Sequence, residues 1–258
     1  HEVDILSGSM IYVSDTHILK MEDSRGQLLL DLIGRIDAEK TEYLVLNGDI
    51  FDFCFGGTDY FRQKFKALGD ALKKIDDKGV QVFYVEGNHE FNMSEIGWSG
   101  INIVTEKDLS LIFKDGQKIK VTHGDLINED KVYRVYRGIV KSKVFASAAR
   151  LVPSKLVDAF SLHHADSSRK RGEYRELNHH SLLEAANAWL DDDFDHGVFG
   201  HFHTPYAEPR TGENSGLIVC VESWDRPNAL VFKEGAFYRT YFSECGEHYK
   251  LTPVHSYF

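Results

Sequence analysis

The chain has 258 residues, of which 42% are hydrophobic and 12% aromatic, and its formal net charge is −10. This composition excludes a disordered or fibrous chain, and no apolar run reaches the roughly 18 residues that a membrane-spanning helix requires. The three cysteines, Cys54, Cys220 and Cys245, are too widely spaced for a disulfide framework or a zinc ribbon, which predicts a reducing, cytoplasmic location.

The first nine residues, HEVDILSGS, show no signal-peptide pattern, and we interpret residues 1–9 as an expression-tag remnant that precedes a natural start at Met10. From Met10 onward, short runs of β-branched and aromatic residues alternate with segments of helical periodicity, which predicts an α/β fold. The predicted strands are 10–14, 43–47, 80–86, 101–105, 109–113, 118–122, 196–200, 216–222 and 229–235. The predicted helices are 24–38, 59–78 and 177–190.

Two dipeptides typical of tight turns lie between or beside predicted strands, Asp115-Gly116 and Glu234-Gly235. Such turns join antiparallel strands, so the chain is expected to contain antiparallel as well as parallel pairing. We therefore predict a layered sandwich of mixed sheets rather than one parallel sheet.

Residues 128–175 differ from their flanks and form a predicted insertion in a core made of residues 10–127 and 176–258. Eleven basic and three acidic side chains lie between Lys131 and Arg175, a local net charge of +8 that leaves −18 for the rest of the chain. Apolar residues recur here at helical spacing until Pro153, and a second helical pattern follows. We predict a helical, cationic lid that meets an anionic partner. In the simpler alternative, its apolar face packs on the core and its charges are solvated.

Five short elements rich in metal-binding residue types follow predicted strands or lie at their ends. They are Ser14-Asp15-Thr16-His17, Gly48-Asp49-Ile50-Phe51-Asp52, Gly87-Asn88-His89-Glu90, His123-Gly124-Asp125 and Gly200-His201-Phe202-His203. The carboxyl ends of strands are where α/β sheets place their sites, and side chains two residues apart in an extended chain point the same way. We therefore expect these side chains to share one site.

The mixture of carboxylate, amide and imidazole groups in these elements indicates a particular kind of metal. It suits two divalent ions of borderline hardness, such as manganese, iron or zinc, rather than calcium or a thiolate-bound metal. One such element alone is more often a hydrogen-bonded pair at the surface. Five of them in this order predict a dinuclear centre.

The motifs Asp-x-His, Gly-Asp-x-x-Asp, Gly-Asn-His-Glu, His and Gly-His-x-His, read from Asp15 to His203, resemble the signature of the calcineurin-like metallophosphoesterases. The resemblance implies a four-layer αββα sandwich with a dinuclear metal centre. The implied ligands of the first ion are Asp15, His17, Asp49 and His203. The implied ligands of the second ion are Asp49 as the bridge, Asn88, His123 and His201.

The same resemblance assigns catalytic roles to Asp49, Asn88 and His89. His89 would donate a hydrogen bond to the transition state or leaving group, and the alternative is that it only orients a ligand. Asp52 and Asp125 are interpreted as partners of the metal-bound histidines.

The run from His123 to Arg137 further resembles the bacterial UDP-2,3-diacylglucosamine pyrophosphohydrolases of lipid A biosynthesis. That likeness implies cleavage of UDP-2,3-diacylglucosamine to UMP and 2,3-diacylglucosamine 1-phosphate (lipid X), with a metal-activated hydroxide attacking the α-phosphorus. The implied substrate-binding residues are Asp130, Tyr133, Arg137, Ser168, Arg169 and Lys170. It also implies a lipid-linked nucleotide sugar as partner and peripheral association with the anionic surface of the bacterial inner membrane. We expect a monomer.

One position departs from the best-known members of that group, which carry arginine where this chain has His89. The alternative function is therefore a phosphodiesterase or phosphatase of the same superfamily that acts on another lipid, a nucleotide or a phosphoprotein. A metal-free binding scaffold is the non-enzymatic alternative. Nucleic acid is not expected as a partner, because the basic residues of the insertion are interleaved with aliphatic rather than aromatic side chains.

Overall fold

The computed structural model describes residues 8–105, 108–127, 135, 137–139, 141–142, 152, 179–211, 216–242 and 251–254. The strands are β1 Met10–Val13, β2 Tyr43–Asn47, β3 Cys54–Phe55, β4 Gln81–Val85, β5 Glu90–Phe91, β6 Ile101–Val104, β7 Leu109–Ile112, β8 Lys118–Thr122, β9 His196–Phe199, β10 Tyr206–Pro209, β11 Leu217–Cys220, β12 Asn228–Lys233, β13 Ala236–Tyr241 and β14 Thr252–Pro253. The α-helices are α1 Ser24–Gly34, α2 Asp59–Lys64, α3 Lys66–Asp76 and α4 His179–Trp189, and a short 3-10 helix spans Met93–Glu95.

The strands form two large mixed sheets and a two-stranded one. The larger sheet has the order β14-β13-β12-β1-β2-β4-β6, in which β1, β2, β4 and β6 are parallel and β12, β13 and β14 pair antiparallel. The second sheet has the order β10-β11-β9-β8-β7, with a parallel centre and an antiparallel strand at each edge. Strands β3 and β5 pair in parallel. The mixed sheets confirm the predicted class.

Alternating side chains along the strands divide the core into three apolar layers. On β1, Ile11 and Val13 face helices α1 and α3, whereas Met10 and Tyr12 face the second sheet. The second sheet presents Val121 and Val198 to this interface, and its other side packs against α4 through Phe199 and Ile218. Strand β1 is fully buried. A strand that is buried on both faces requires apolar residues at every position, and β1 has them. The layers are therefore helix, sheet, sheet, helix, which confirms the predicted αββα sandwich.

Both predicted tight turns join antiparallel strands. Asp115-Gly116 connects β7 to β8, and Glu234-Gly235 connects β12 to β13. Glu234 and Gly235 have φ angles of 52° and 75°, the left-handed pair that a two-residue hairpin requires.

The helix predicted over 59–78 is wrong in one respect, because it is broken into α2 and α3 at Phe65. Phe65 has φ −110° and ψ 17°, which lies outside the α-helical region. Its ring is fully buried and stacks on Phe51, with ring centroids 3.6 Å apart. The packing of these two rings thus accounts for the break that helical periodicity did not indicate.

Several boundaries predicted from the sequence stay predictions. Residues 1–7 and most of 128–175 lie outside the described residues, so the tag remnant and the limits of the insertion are not observed. Gly8 is buried, and the Ser9 carbonyl accepts hydrogen bonds from the backbone N–H groups of Glu42 and Tyr43, so residues 8 and 9 pack with the body. Among the described residues, no helix combines the length and the apolar character that crossing a bilayer demands.

The interface between the two sheets is expected to contribute strongly to the free energy of unfolding. Leu230 of β12 is fully buried there, so Leu230→Ala should lower the free energy of unfolding by about 2–5 kcal/mol. Urea denaturation measures this change. The matched control is Ile112→Ala, which truncates a side chain that is 60% exposed and should change stability by less than about 0.5 kcal/mol. Equal effects of the two substitutions would contradict this packing.

Candidate metal centre

All five chemistry-bearing elements lie at the carboxyl ends of parallel strands. Three of them follow β1, β2 and β4 of the larger sheet, and two follow β8 and β9 of the second sheet. The two sheets therefore approach each other at one end of the sandwich, and the loops from both contribute side chains to one cluster. This confirms the expectation that the five elements converge.

The backbone at the cluster is unusual. Five residues there have positive φ although none is glycine: Asp15 (52°), His17 (47°), Asp49 (50°), His201 (66°) and His203 (57°). A left-handed conformation costs a non-glycine residue of the order of 1–2 kcal/mol. Strain concentrated in this way is typical of functional sites, where the surrounding structure holds side chains in orientations that an ordinary strand would not allow.

The first subsite is formed by Asp15, His17 and His203. The Nε2 atom of His203 lies 3.3 Å from Oδ1 of Asp15 and 3.4 Å from Nε2 of His17. The candidate ligand atoms of the three side chains all lie within 4.8 Å of one another, a spacing that fits ligands of one ion.

The second subsite centres on Asn88. Its Oδ1 atom lies 3.0 Å from Nε2 of His123 and 2.9 Å from Nδ1 of His201. Asp49, His123 and His201 also form a group whose ligand atoms lie within 4.8 Å of one another. Asn88, an amide, completes the set with the oxygen that a divalent ion of borderline hardness accepts.

Asp49 lies between the two subsites. It groups with His123 and His201 on one side and with His17 and His89 on the other. Its Oδ1 atom lies 3.5 Å from Nε2 of His123 and accepts a hydrogen bond of 2.9 Å from the backbone N–H of His89. Only Asp49 among the carboxylates of the described groups occurs beside both subsites, which is the position of a bridging ligand.

The hydrogen bonds of His123 test whether this set fits a metal. Its Nδ1 atom lies 3.0 Å from the carbonyl oxygen of Asn47, and a carbonyl only accepts, so Nδ1 carries hydrogen. In the neutral imidazole, Nε2 then directs a lone pair at Asn88 Oδ1, itself an acceptor. Nε2 of His123 and Oδ1 of Asn88, 3.0 Å apart, and Oδ1 of Asp49, 3.5 Å from Nε2, thus converge as ligand atoms around a cation do. The residues therefore fit a cation here.

The buried carboxylates of Asp15 and Asp49 are both ionised. Burial raises the pKa of Asp15, but its hydrogen bond with His203 and the charge of His123 outweigh burial and lower the net value. Burial likewise raises the pKa of Asp49, and the charges of His89 and His123 outweigh it and hold that pKa well below its ordinary range. The cluster thus presents negative charge in a region from which water is largely excluded.

The histidines of the cluster differ in the direction in which their pKa values are shifted. Burial lowers the pKa of His17 to about 4, against the opposing charge of Asp49, and burial together with the charge of His123 lowers the pKa of His201 to about 4. Both are neutral at ordinary pH, the form in which imidazole binds metal. Burial also lowers the pKa of His123, but the charge of Asp49 and its hydrogen bond outweigh burial and raise it to about 10. Positive charge is favoured beside Asn88.

His89 reaches the cluster from beside the first subsite. Its Nδ1 lies 2.7 Å from the carbonyl oxygen of Asp52, so Nδ1–H donates there, and its Nε2 lies 3.8 Å from Oδ2 of Asp49. The ring is 5.0 Å from that of His17. Donation from Nε2 to a substrate therefore requires the doubly protonated ring.

The two aspartates interpreted as partners of metal-bound histidines have different surroundings. Oδ1 of Asp52 lies 3.6 Å from Nδ1 of His17, which agrees with that interpretation. Asp125 accepts a 2.9 Å hydrogen bond from Nε of Arg137, a contact across the insertion boundary that the interpretation did not include.

Arg137 is the one predicted substrate-binding residue that lies among the described residues. Its guanidinium side chain is 15% exposed because it packs on Asp125. The other predicted members lie outside the described residues, so their roles stay predictions: Asp130, Tyr133, Ser168, Arg169 and Lys170.

Sequence reasoning missed the role of Glu90 in shaping the cluster. Its carboxylate is fully buried and accepts hydrogen bonds from the hydroxyl of Tyr84 at 2.6 Å and from the backbone N–H groups of Phe51 and Gly87, each at 3.1 Å. Glu90 thus joins the loop that carries Asp49 to the loop that carries Asn88. Its place in the Gly-Asn-His-Glu motif was the available signal.

The sequence of this chain is similar to those of known proteins. A family model described as Calcineurin-like phosphoesterase matches residues 9–205. A UDP-2,3-diacylglucosamine hydrolase of Neisseria meningitidis serogroup B is 28% identical over 145 residues, which are 56% of this chain and 60% of that protein. The matched part of the chain thus spans about 60% of the length of that relative. The protein of the same name from Haemophilus influenzae is 26% identical over 225 residues, covering 86% of this chain and 93% of that protein.

Two solved structures are similar at low identity. A dimetal phosphatase from Danio rerio has a TM-score of 0.40 at 12% identity, covering 91% of this chain and 96% of that one. A Thermus thermophilus protein has a TM-score of 0.45 at 7% identity, covering 97% of this chain and all of that one.

The absence of a side chain at Gly200, beside Asp15, should be essential to metal affinity. A Cβ atom at Gly200 would collide with Oδ2 of Asp15 and Oγ of Ser14, so Gly200→Ala should displace the carboxylate and weaken Mn²⁺ binding about 10–100-fold. Isothermal titration with Mn²⁺ measures the affinity. Gly34→Ala is the matched control, because a Cβ there meets nothing within 4 Å. Unchanged binding by Gly200→Ala would show that Asp15 is not a ligand.

Proposed function

Because the chain belongs to the calcineurin-like phosphoesterase family, we propose that its metal centre hydrolyses UDP-2,3-diacylglucosamine to UMP and 2,3-diacylglucosamine 1-phosphate, a step of lipid A biosynthesis. The observation that carries the proposal is the convergence of seven ligand-type side chains into two subsites that share Asp49. The seven are Asp15, His17, Asp49, Asn88, His123, His201 and His203. We propose manganese as the metal, with iron or zinc as alternatives.

The residues around the subsites perform distinct tasks in this proposal. When bound, two divalent ions supply Lewis acidity that makes water nucleophilic near neutral pH and neutralises charge on the phosphate. Asp49 holds the two subsites together and is itself fixed by the backbone N–H of His89. His89, with its ring aligned by the carbonyl of Asp52, presents Nε2 toward the cluster and donates to the phosphoryl group or the leaving oxygen.

Two observations support the choice of substrate: the names of the relatives and the net charge of residues 131–175. The relatives are named UDP-2,3-diacylglucosamine hydrolases and are 22–28% identical to this chain. Their substrate combines a diphosphate with acyl chains, and residues 131–175 combine a net charge of +8 with apolar residues at helical spacing. A cationic, amphipathic insertion offers both kinds of contact.

Peripheral binding to the anionic cytoplasmic surface of a bacterial inner membrane is part of the proposal, as is a monomeric enzyme. In the insertion, Val135 and Ile139 are 64% and 60% exposed. Each Lys or Arg near an anionic bilayer contributes about 1 kcal/mol, and exposed aliphatic side chains add to binding.

His89 favours a second candidate function. The best-known enzymes that hydrolyse this substrate carry arginine at the position, and an imidazole cannot form the two-pronged contact of a guanidinium with a diphosphate. The second candidate is a phosphodiesterase or phosphatase with a broader range that includes other lipids, nucleotides or phosphoproteins.

Asp49 should be indispensable for turnover. We expect Asp49→Ala to reduce hydrolysis of bis(p-nitrophenyl) phosphate to background, because both subsites lose a ligand, and we expect added Mn²⁺ to restore chelator-treated wild type but not this variant. Asp70→Ala is the control, since Asp70 pairs with Lys66 on the surface of α3. Full activity of Asp49→Ala would refute the two-metal assignment.

The position of attack tests the proposed reaction, and the preference among substrates distinguishes it from the broader one. In water enriched in heavy oxygen, attack on the α-phosphorus places the label in UMP, whereas attack on the β-phosphorus places it in the sugar phosphate. Mass spectrometry of the products should show labelled UMP. We also expect kcat/KM for the diacylated nucleotide sugar to exceed that for bis(p-nitrophenyl) phosphate at least about 100-fold. Comparable values for the two substrates would favour the broader enzyme.

A further inference from the structure

Two basic residues of the insertion are buried against acidic residues of the core. Nε of Arg137 lies 2.9 Å from Oδ2 of Asp125, and these side chains are 15% and 3% exposed. Nζ of Lys141 lies 2.7 Å from Oε1 of Glu86, and these are 8% and 1% exposed. Surface ion pairs of long side chains contribute little, but a pair so far removed from water fixes the position of both partners.

The two cations lie on one face of a helical turn. The backbone N–H of Lys141 donates to the carbonyl of Arg137 at 2.9 Å, so the residues are one turn apart. Val135 and Ile139 lie on the opposite side of such a turn and are exposed. The described part of the insertion therefore packs its cations on the core and presents aliphatic side chains outward. This is the reverse of the simple alternative, in which apolar residues pack inward and charges are solvated.

The acidic partners of the two cations lie close in sequence to predicted ligands of the second ion. Asp125 is two residues after His123, and Glu86 is two residues before Asn88. His123 and Asn88 are assigned to the same ion, the second. The two ion pairs described above thus contact loops that build this subsite.

The contacts of Glu86 and Lys141 extend to the loop that carries Asn88. The second carboxylate oxygen of Glu86 accepts a 2.9 Å hydrogen bond from the backbone N–H of Met93. This bond links the residue before the loop to a residue after it. Lys141 also donates to the carbonyl of Gly87 at 3.1 Å, directly before Asn88. Removing the ammonium group would leave a buried carboxylate and a carbonyl to find other partners, and the loop would shift.

We propose that Arg137 and Lys141 are positioning residues: the turn that carries them, packed on Asp125 and Glu86, holds the second-ion subsite in its binding geometry, so that packing of this turn and occupancy of the subsite favour each other. The inference rests on the proposed two-metal function. Because coupling of two binding events is reciprocal, an ion at the second subsite stabilises the packed turn from Arg137 to Lys141 by the same factor.

The experiment compares binding of Mn²⁺ in wild type, Lys141→Met and Arg137→Met, with Lys66→Met as control. Lys66 forms an exposed pair with Asp70 on α3, so the control makes the same chemical change at a surface site. Titration calorimetry gives the two affinities, and electron paramagnetic resonance separates single Mn²⁺ ions from spin-coupled pairs. Variants His17→Ala and His201→Ala provide reference signals for loss of the first and the second ion.

We expect Lys141→Met and Arg137→Met to weaken binding of the second ion about 10–100-fold and to lose the spin-coupled signal at limiting Mn²⁺, as in His201→Ala. Binding of the first ion should stay within about twofold of wild type, and Lys66→Met should match wild type for both ions. In wild type, Mn²⁺ should also slow proteolytic cleavage within residues 128–175, a readout that needs no variant.

The results that would overturn the inference differ from those that would overturn the function. Wild-type affinity for both ions in a folded Lys141→Met or Arg137→Met, or equal weakening of both ions, would refute the positioning role. If neither variant folds, an absence of Mn²⁺-dependent protection of 128–175 in wild type would refute it. A wild-type chain that binds fewer than two ions would instead refute the proposed function.

Discussion

Two ionised carboxylates buried side by side must be compensated by positive charge, and the end of the sandwich is organised around that requirement. Asp15 and Asp49 are almost entirely removed from water. A buried charge is tolerated only when it is paired or hydrogen-bonded. Asp49 receives the backbone N–H of His89, and Asp15 receives that of His201 at 3.1 Å from Oδ2. Asp15 also accepts a hydrogen bond from the hydroxyl of Ser14, and the field of the two carboxylates raises the pKa of His123 to about 10 and suits divalent cations.

The fold supplies the rigidity that such a cluster needs. The two sheets meet with their parallel strands ending at the same place, so each of the five loops begins from a fixed strand. The loops are then cross-linked from beneath by buried groups, of which Glu90 is the clearest case because it bonds loops from two strands. Left-handed residues such as Asp15 and His203 direct their side chains toward the cluster, and the surrounding core offsets the conformational cost.

Much of this arrangement follows from the sequence, for physical reasons. The strands are recognisable because buried strands such as β1 require apolar, β-branched residues, and the ligands are recognisable because they cluster after those strands. The Glu234-Gly235 hairpin follows from the left-handed conformation that glycine permits. Strands β3 and β5 have two residues each, too few for any pattern. The helix break at Phe65 depends on a ring from another element, which local periodicity does not contain.

The predicted insertion shows where sequence patterns are insufficient. Its helical amphipathicity is visible in the sequence, but which face meets the core depends on partners elsewhere. Glu86 and Lys141 are 55 positions apart in the chain, and the buried acid draws Lys141 to the core while Val135 and Ile139 stay exposed.

The most direct test of the metal centre is an anomalous difference map from a crystal equilibrated with Mn²⁺. We expect two peaks about 3.5–4 Å apart. One should lie among Asp15, His17 and His203, the other among Asn88, His123 and His201, and both within bonding distance of Asp49. A single peak, or peaks that do not share Asp49, would contradict the assignment of a dinuclear centre.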